Sequence, residues 1–248
     1  MKKLYFFIGP IVFIAIWELV WLFKIVDPFF LPSPQAVFIS LIGLVSSLSI
    51  FPDLWATAQR VFISIALAIV VGFPIGLLLG YYEKAYASFE ILIDFFRSIP
   101  ATAMFPMFLL IFGIGDSSKI GVAVFAAALL IIFNTSKGII NAKKTRILAA
   151  KMMGATKNQI FSKILLWESL PQTMIGVRTA VSIALVVIVV TEMFIGTYAG
   201  LGRRIIDFQY IYNIDGMYAV ILITGIFGFA VNFVFIWFEK HYIHWHGK

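Results

Sequence analysis

Apolar residues run almost unbroken through six stretches: about Leu4 to Phe23, Ala56 to Gly80, Ala87 to Phe112, Ile120 to Ile140, Gln172 to Ile195 and Met217 to Phe238. Each is close to the roughly 20 residues a helix needs to cross a hydrocarbon core. The pattern predicts an all-α, polytopic membrane protein with about six transmembrane helices. Between the first two runs, "LPSPQAVFISLIGLVSSLSIF" is shorter and partly polar. Ser33 suits an N-cap and Pro34 a first helical turn, so a short helix is expected there, lying at the outer interface rather than crossing. The second run carries Gly72, Gly76 and Gly80, a spacing that lets another backbone approach closely. The third is interrupted by Arg97, Pro100 and Pro106. Proline removes a helix hydrogen bond, and backbone opened in lipid must be satisfied by neighbouring helices or a wet cavity.

One long segment departs from this pattern. "ILAAKMMGATKNQIFSKILLWESLP", Ile147 to Pro171, is basic and rich in small residues. Thr156 and Gln159 fit a capping box that starts a helix at about Lys157. Gly154, followed by Ala155, is placed to end a helix over Arg146 to Met153. The segment therefore reads as helix, glycine joint, helix. Ala149 and Ala150 offer a close-packing surface, and Ile160, Phe161 and Ile164 an apolar stripe. Such a segment either lies on the membrane surface or docks a cytoplasmic partner.

Composition agrees with the membrane assignment. The chain of 248 residues is 62% hydrophobic and 12% charged, about half the charged share of soluble domains. It has no cysteine, which excludes disulfides and thiolate chemistry. "MKKLYFFIGPIVFIAIWELVW" begins like a signal peptide but lacks a small-x-small cleavage site, so a retained first span is expected. The net charge of +7 suits basic cytoplasmic loops better than nucleic acid, which is not an expected partner. Lys2, Lys3, Lys84, Lys143, Lys144, Arg146, Lys151, Lys157, Lys163, Lys240 and Lys248 fall on the N-terminal side of a six-span topology. Lys24, Lys119, Arg203 and Arg204 fall on the other, so both termini and the basic segment are expected in the cytoplasm. No linker divides residues 1–248, which reads as a single transmembrane domain with its cytoplasmic loop at about 141–171.

That loop resembles the EAA loop of permease subunits of ATP-binding-cassette (ABC) importers: two alanines, three residues, a glycine, about ten residues, then hydrophobic-Leu-Pro. Ala149, Ala150 and Gly154 match, and Leu170–Pro171 gives the ending. "LPSP", "FFRSIPATAMFPMFLLIFGIG", "FNT", "GVR", "TEMF" and "GLG" follow the order of the sulfonate, taurine, nitrate and thiamine-precursor branch, from about Leu31 onward. Two positions depart: Leu148 stands where the family has glutamate, and Trp167 where it has a proline. The first bears on the polar contact that glutamate would make, not on the small-residue and glycine framework. The resemblance implies a type I importer permease in a bacterial plasma (inner) membrane. It implies two cytoplasmic ATPase subunits docked on the loop at Leu148 to Gly154 and Ala155 to Ile160, a second permease copy and an external solute-binding protein. No G-x-x-x-x-G-K-S/T phosphate loop occurs, so ATP and magnesium are expected on the partner ATPase and no cofactor on this chain.

Charges inside spans are functional candidates. Arg97, with Pro100 and Thr102 just beyond it, is a candidate for the translocation path, and Asp94 three residues earlier is its expected ion-pair partner. Arg178 is expected to pair with Asp94 or Glu90 or to line the path. Arg60 and Glu192 are expected to pair near an outer gate, since their charges oppose and their depths match, or else to snorkel separately. His241, His244 and His246 read as a solvated tail rather than a metal site. A membrane-embedded enzyme would need a catalytic set within the spans, and none is present. A self-contained secondary transporter would leave the docking loop idle.

Overall fold

The computed structural model describes residues 5–194 and 196–242. They form helices α1 (Tyr5–Leu22), α2 (Pro34–Ser46), α3 (Phe51–Tyr81), α4 (Glu83–Ser98), α5 (Phe105–Phe112), α6 (Asp116–Ile140), α7 (Lys144–Met152), α8 (Lys157–Ile160), α9 (Leu166–Glu192), α10 (Leu201–Tyr210) and α11 (Ile214–Tyr242). No strand occurs among the described residues. Four helical stretches are long and apolar enough to cross a membrane: 51–81, 116–140, 157–192 and 214–237. The pair α4 and α5 passes as a fifth, bent by 88° at the Ile99–Pro100 break and a short 3-10 turn, Ala101–Met104. Helix α1, with 18 residues, rises about 27 Å. Ser33 caps α2 as expected, accepting from the Ala36 amide.

Two compact units emerge, one of residues 1–56 and 198–227, the other of 57–197 and 228–248. In the first, Trp17 Nε1 donates to the Pro32 carbonyl at 3.0 Å and Tyr218 Oη to the Phe30 carbonyl at 3.2 Å. Asp53 accepts from the Gly200 amide at 2.9 Å and from Arg204 Nε at 2.8 Å, tying the start of α3 to the start of α10.

The second unit is organised on α6. Small residues make this possible, because in lipid helices associate by close packing rather than by exclusion of water. A side chain at Gly76 would meet Thr135 Cβ at 2.7 Å, and one at Gly80 would meet Ile139 Cβ at 2.9 Å. Gly72, likewise, lies against Ala128 and Ile131. The register rises together along both helices, so α3 and α6 run parallel. Ser136 Oγ donates to the Gly76 carbonyl at 3.0 Å across this seam. On the other side Gly138 faces Ser169 and Gly176 faces Asn134, so α6 and α9 run antiparallel. Gly228 against Leu185, and Arg178 against Glu239, place the end of α11 antiparallel to α9. A parallel α3 and α6 require one crossing between them, which the bent α4–α5 pair supplies.

The loop helix and the fifth span were expected as separate elements. The structure joins them into one rod of 36 residues from Lys157. A widened π turn at Phe161–Leu165 marks the junction, and Pro171 sits inside the helix without ending it.

Candidate functional site

Three regions of the second unit gather the functional candidates. The first is an ionic cluster where α3, α6 and α9 meet. Arg60, one turn along α3 from Thr57, sends Nη1 to Glu192 Oε1 at 2.6 Å and Nε to Asp116 Oδ1 at 2.8 Å. Thr57 Oγ1 donates to the same carboxylate, at 3.0 and 2.9 Å from its two oxygens. Lys119 Nζ donates to the carbonyls of Gly115, at 3.1 Å, and Gly196, at 3.0 Å, with Asp116 at 3.7 Å. Glu192 and Lys119 have no exposed surface. Arg60 and Glu192 therefore meet as their opposite charges suggested, and two cations face two anions. Sequence reasoning missed Thr57, Asp116 and Lys119. An Asp and a Lys three residues apart at the head of an apolar helix were the available signal, but they read as an ordinary turn, "GIGDSSK".

The second region is a cavity of about 500 Å³ beside the α4–α5 break. Asp94, Arg97, Ser98 and Pro100 line one side, with Phe96, Phe125 and Ile183 among the apolar walls. Arg97 Nη1 lies 3.2 Å from Asp94, the expected i,i+3 pair, and its guanidinium stacks 4.0 Å from the centre of the Phe133 ring. A helix leaves its last four carbonyls without partners further along it, and here α4 ends at the cavity. Thr102 lies on the following 3-10 turn and is not part of the lining.

Arg178 stands apart from this cavity. Its partner is Glu239 at 3.4 Å, not Asp94 or Glu90. Asp94 is engaged by Arg97, and Glu90 takes Lys137 at 3.1 Å. The antiparallel tail of α11 brings Glu239 alongside α9, a pairing invisible along the chain. His244 and His246 lie outside the described residues.

The third region is the basic loop between α6 and α9. Gly154 has φ +78°, left-handed backbone that glycine adopts freely, and it ends α7. The reciprocal capping box of Thr156 and Gln159 then opens α8. Ala150 and Ile160 are buried in one apolar cluster with Ile139, Ala142 and Leu165, against which Ile147, Ala155, Phe161 and Ile164 pack. Arg146 pairs with Glu168, whose second oxygen accepts the Lys143 amide at 3.1 Å. These contacts hold α7 to the spans by one face. On the other, Leu148 is 58% exposed, Met152 89% and Met153 80%, with Ala149 also exposed. The residue that replaces the family glutamate thus belongs to an outward apolar patch. Met152 and Met153 were not singled out in the sequence, where they resemble any other apolar pair.

Residues 72–244, more than half of the chain, match the family described as binding-protein-dependent transport system inner membrane component. The formylaminopyrimidine transport permease ThiX of Halalkalibacterium halodurans is 31% identical, covering 97% of this chain and 100% of its own. The taurine transport system permease TauC of Escherichia coli is 24% identical over 96% of this chain and 88% of its own. Among solved structures, an inward-facing crystal form of the MetNI methionine ABC transporter matches with a TM-score of 0.67 at 26% identity, covering 77% of this chain and 95% of the matched chain.

Proposed function

The chain belongs to the family of binding-protein-dependent transport system inner membrane components, the permeases of ABC importers, and from that premise we propose how its parts divide the work. Two copies form the membrane path, each carrying one cytoplasmic ATPase on the outward face of α7. ATP-driven closure of the two ATPases pulls the two loops together and switches the spans from inward-open to outward-open. An external binding protein delivers the solute. Both termini and the loop are cytoplasmic, in line with the positive-inside distribution of lysine and arginine, and the membrane is the bacterial inner membrane. The chain itself performs no hydrolysis.

The observation that carries this assignment is the two-faced α7. A helix glued to the spans by Ala150 and Arg146, and apolar on its free side, transmits a push or a pull. A loop resting on lipid would need no such rigid backing. The self-contained secondary transporter gains nothing from the comparisons.

The solute is small and is either a sulfonate- or nitrate-like anion or a pyrimidine-type precursor, as the taurine and formylaminopyrimidine relatives suggest. The cavity at the α4–α5 break suits both. Arg97, Asp94 and Ser98 offer polar contacts, and Phe96 and Phe125 offer flat apolar walls. Arg97, Pro100 and Thr102 belong to the path in this reading. Arg178 and the Arg60–Glu192 pair frame its two ends. Purification in mild detergent with mass-spectrometric counting of co-purifying chains tests the assembly. Two copies with two ATPase chains are expected; a stable complex without any ATPase would overturn it.

A further inference from the structure

One flank of α7, beside its buried face, carries chemistry that the proposed transport and docking roles leave unused. Lys144, Ile147 and Lys151, spaced i, i+3 and i+7, lie on one face of α7 and line a cavity of about 370 Å³. Lys157, the first residue of α8, lines it from across the Gly154 joint. Its inner end is formed by Gly80 and Tyr81 at the end of α3 and by Ile139 and Ile140 at the end of α6. Below lies the apolar cluster of Ile139, Ala142, Ala150, Ile160 and Leu165. Glu83 is the one acidic residue in the lining, so three cations face one anion. The cavity therefore has a cationic rim and an apolar floor, and it sits where two spans end. Leu148 and Met152 are exposed and do not line this cavity, so its walls are not built from the proposed docking residues.

We propose that this cavity binds the headgroup of an anionic phospholipid, its phosphate among Lys144, Lys151 and Lys157 and its glycerol and first acyl carbons against the apolar floor. A free phosphate would use the lysines but gain nothing from the floor, whereas a lipid uses both. A basic pocket between spans at the membrane surface is where such headgroups bind. The occupant bridges α7 to α8 across the glycine joint, so lipid composition tunes how stiffly the loop is held. Headgroup binding is a property of this chain alone and stands whether or not the transport assignment does.

The test is lipid retention by the purified permease, read by native mass spectrometry after exchange into mixed phosphatidylglycerol and phosphatidylcholine. The wild type is expected to retain phosphatidylglycerol over phosphatidylcholine by roughly tenfold, a modest share of what three lysines near a membrane surface can contribute. The combined variant Lys144→Gln, Lys151→Gln, Lys157→Gln is expected to lose that preference, and Glu83→Gln, which removes the opposing anion, to raise it. Lys163→Gln, an exposed lysine outside the cavity, is expected to change nothing. Equal retention of the two lipids by the wild type would overturn the proposal. So would a loss with Lys163→Gln as large as with the triple variant, since the binding would then be diffuse surface charge. Displacement of phosphatidylglycerol by millimolar inorganic phosphate would assign the lysines to a free anion instead.

Discussion

Glu192 is wholly buried and meets Arg60 and Thr57 within 3.0 Å, whereas Met152 and Met153 leave most of their surface open to solvent. The first region spends polar side chains inside the bundle and satisfies them there. The second leaves apolar side chains outside it and satisfies nothing. The contrast separates what holds the permease together from what it offers to others. A buried pair stripped of one partner leaves an uncompensated charge, which is strongly destabilising. An exposed methionine can be replaced with almost no cost to the fold. The ionic cluster is therefore internal bracing, and the free face of α7 is the surface that our proposal gives to a partner.

Each comparison between these regions can be pressed by substitution, beginning with the costliest. Glu192→Ala is expected to destabilise the purified protein by roughly 3 kcal/mol, the low end for a broken buried pair because Asp116 still holds Arg60, read as a large drop in melting temperature in detergent. Replacing both members by methionine is expected to cost less than that single change. A double variant at least as unstable would show that the pair contributes net stability beyond satisfying its own charges. Gly76→Ala comes next, since its Cβ would lie 2.7 Å from Thr135 Cβ and 3.0 Å from the Ile132 carbonyl. A cost of roughly 1–3 kcal/mol is expected from the overpacked seam. Gly43→Ala, with open space around it, is the matched comparison and is expected to be neutral or mildly stabilising.

How much of this the chain disclosed in advance depended on whether partners were local. The capping box of Thr156 and Gln159 and the Ser33 cap were legible because cap and helix lie within three residues. The glycine ladder announced a close approach but not the helix it approaches, since Gly76 and Thr135 are joined only by the fold. Arg60 and Glu192 were matched by charge and depth, yet Asp116 and Lys119 were not, because charges at the head of a span read as loop. Arg178 was open to Asp94, to Glu90 or to a place on the path, and its partner Glu239 lies 61 residues away on another helix, where no reading along the chain reaches it. The long rod through Pro171 was hidden because proline in a sequence reads as a boundary.

Smaller effects sharpen the account of the loop. Thr156→Ala removes the capping box and is expected to cost about 1 kcal/mol. Hydrogen exchange should rise over residues 157–160 and stay unchanged in α3. Met152→Asp is expected to shift stability by no more than about 0.5 kcal/mol, while ATPase retention and solute uptake fall together. Uptake that falls with ATPase retention intact would move the defect from docking to the path.

In our proposal the ATPase docks on the free face of α7. Because the chain contains no cysteine, Met152→Cys gives a single reactive position without further engineering. In native membranes carrying the whole transporter, a short bifunctional thiol-to-amine reagent is expected to join Cys-substituted position 152 to the ATPase. The same reagent at Ser47→Cys, at the end of α2, is expected to give no such product. No adduct from position 152, or equal adducts from both, would contradict the assignment of α7 as the docking element.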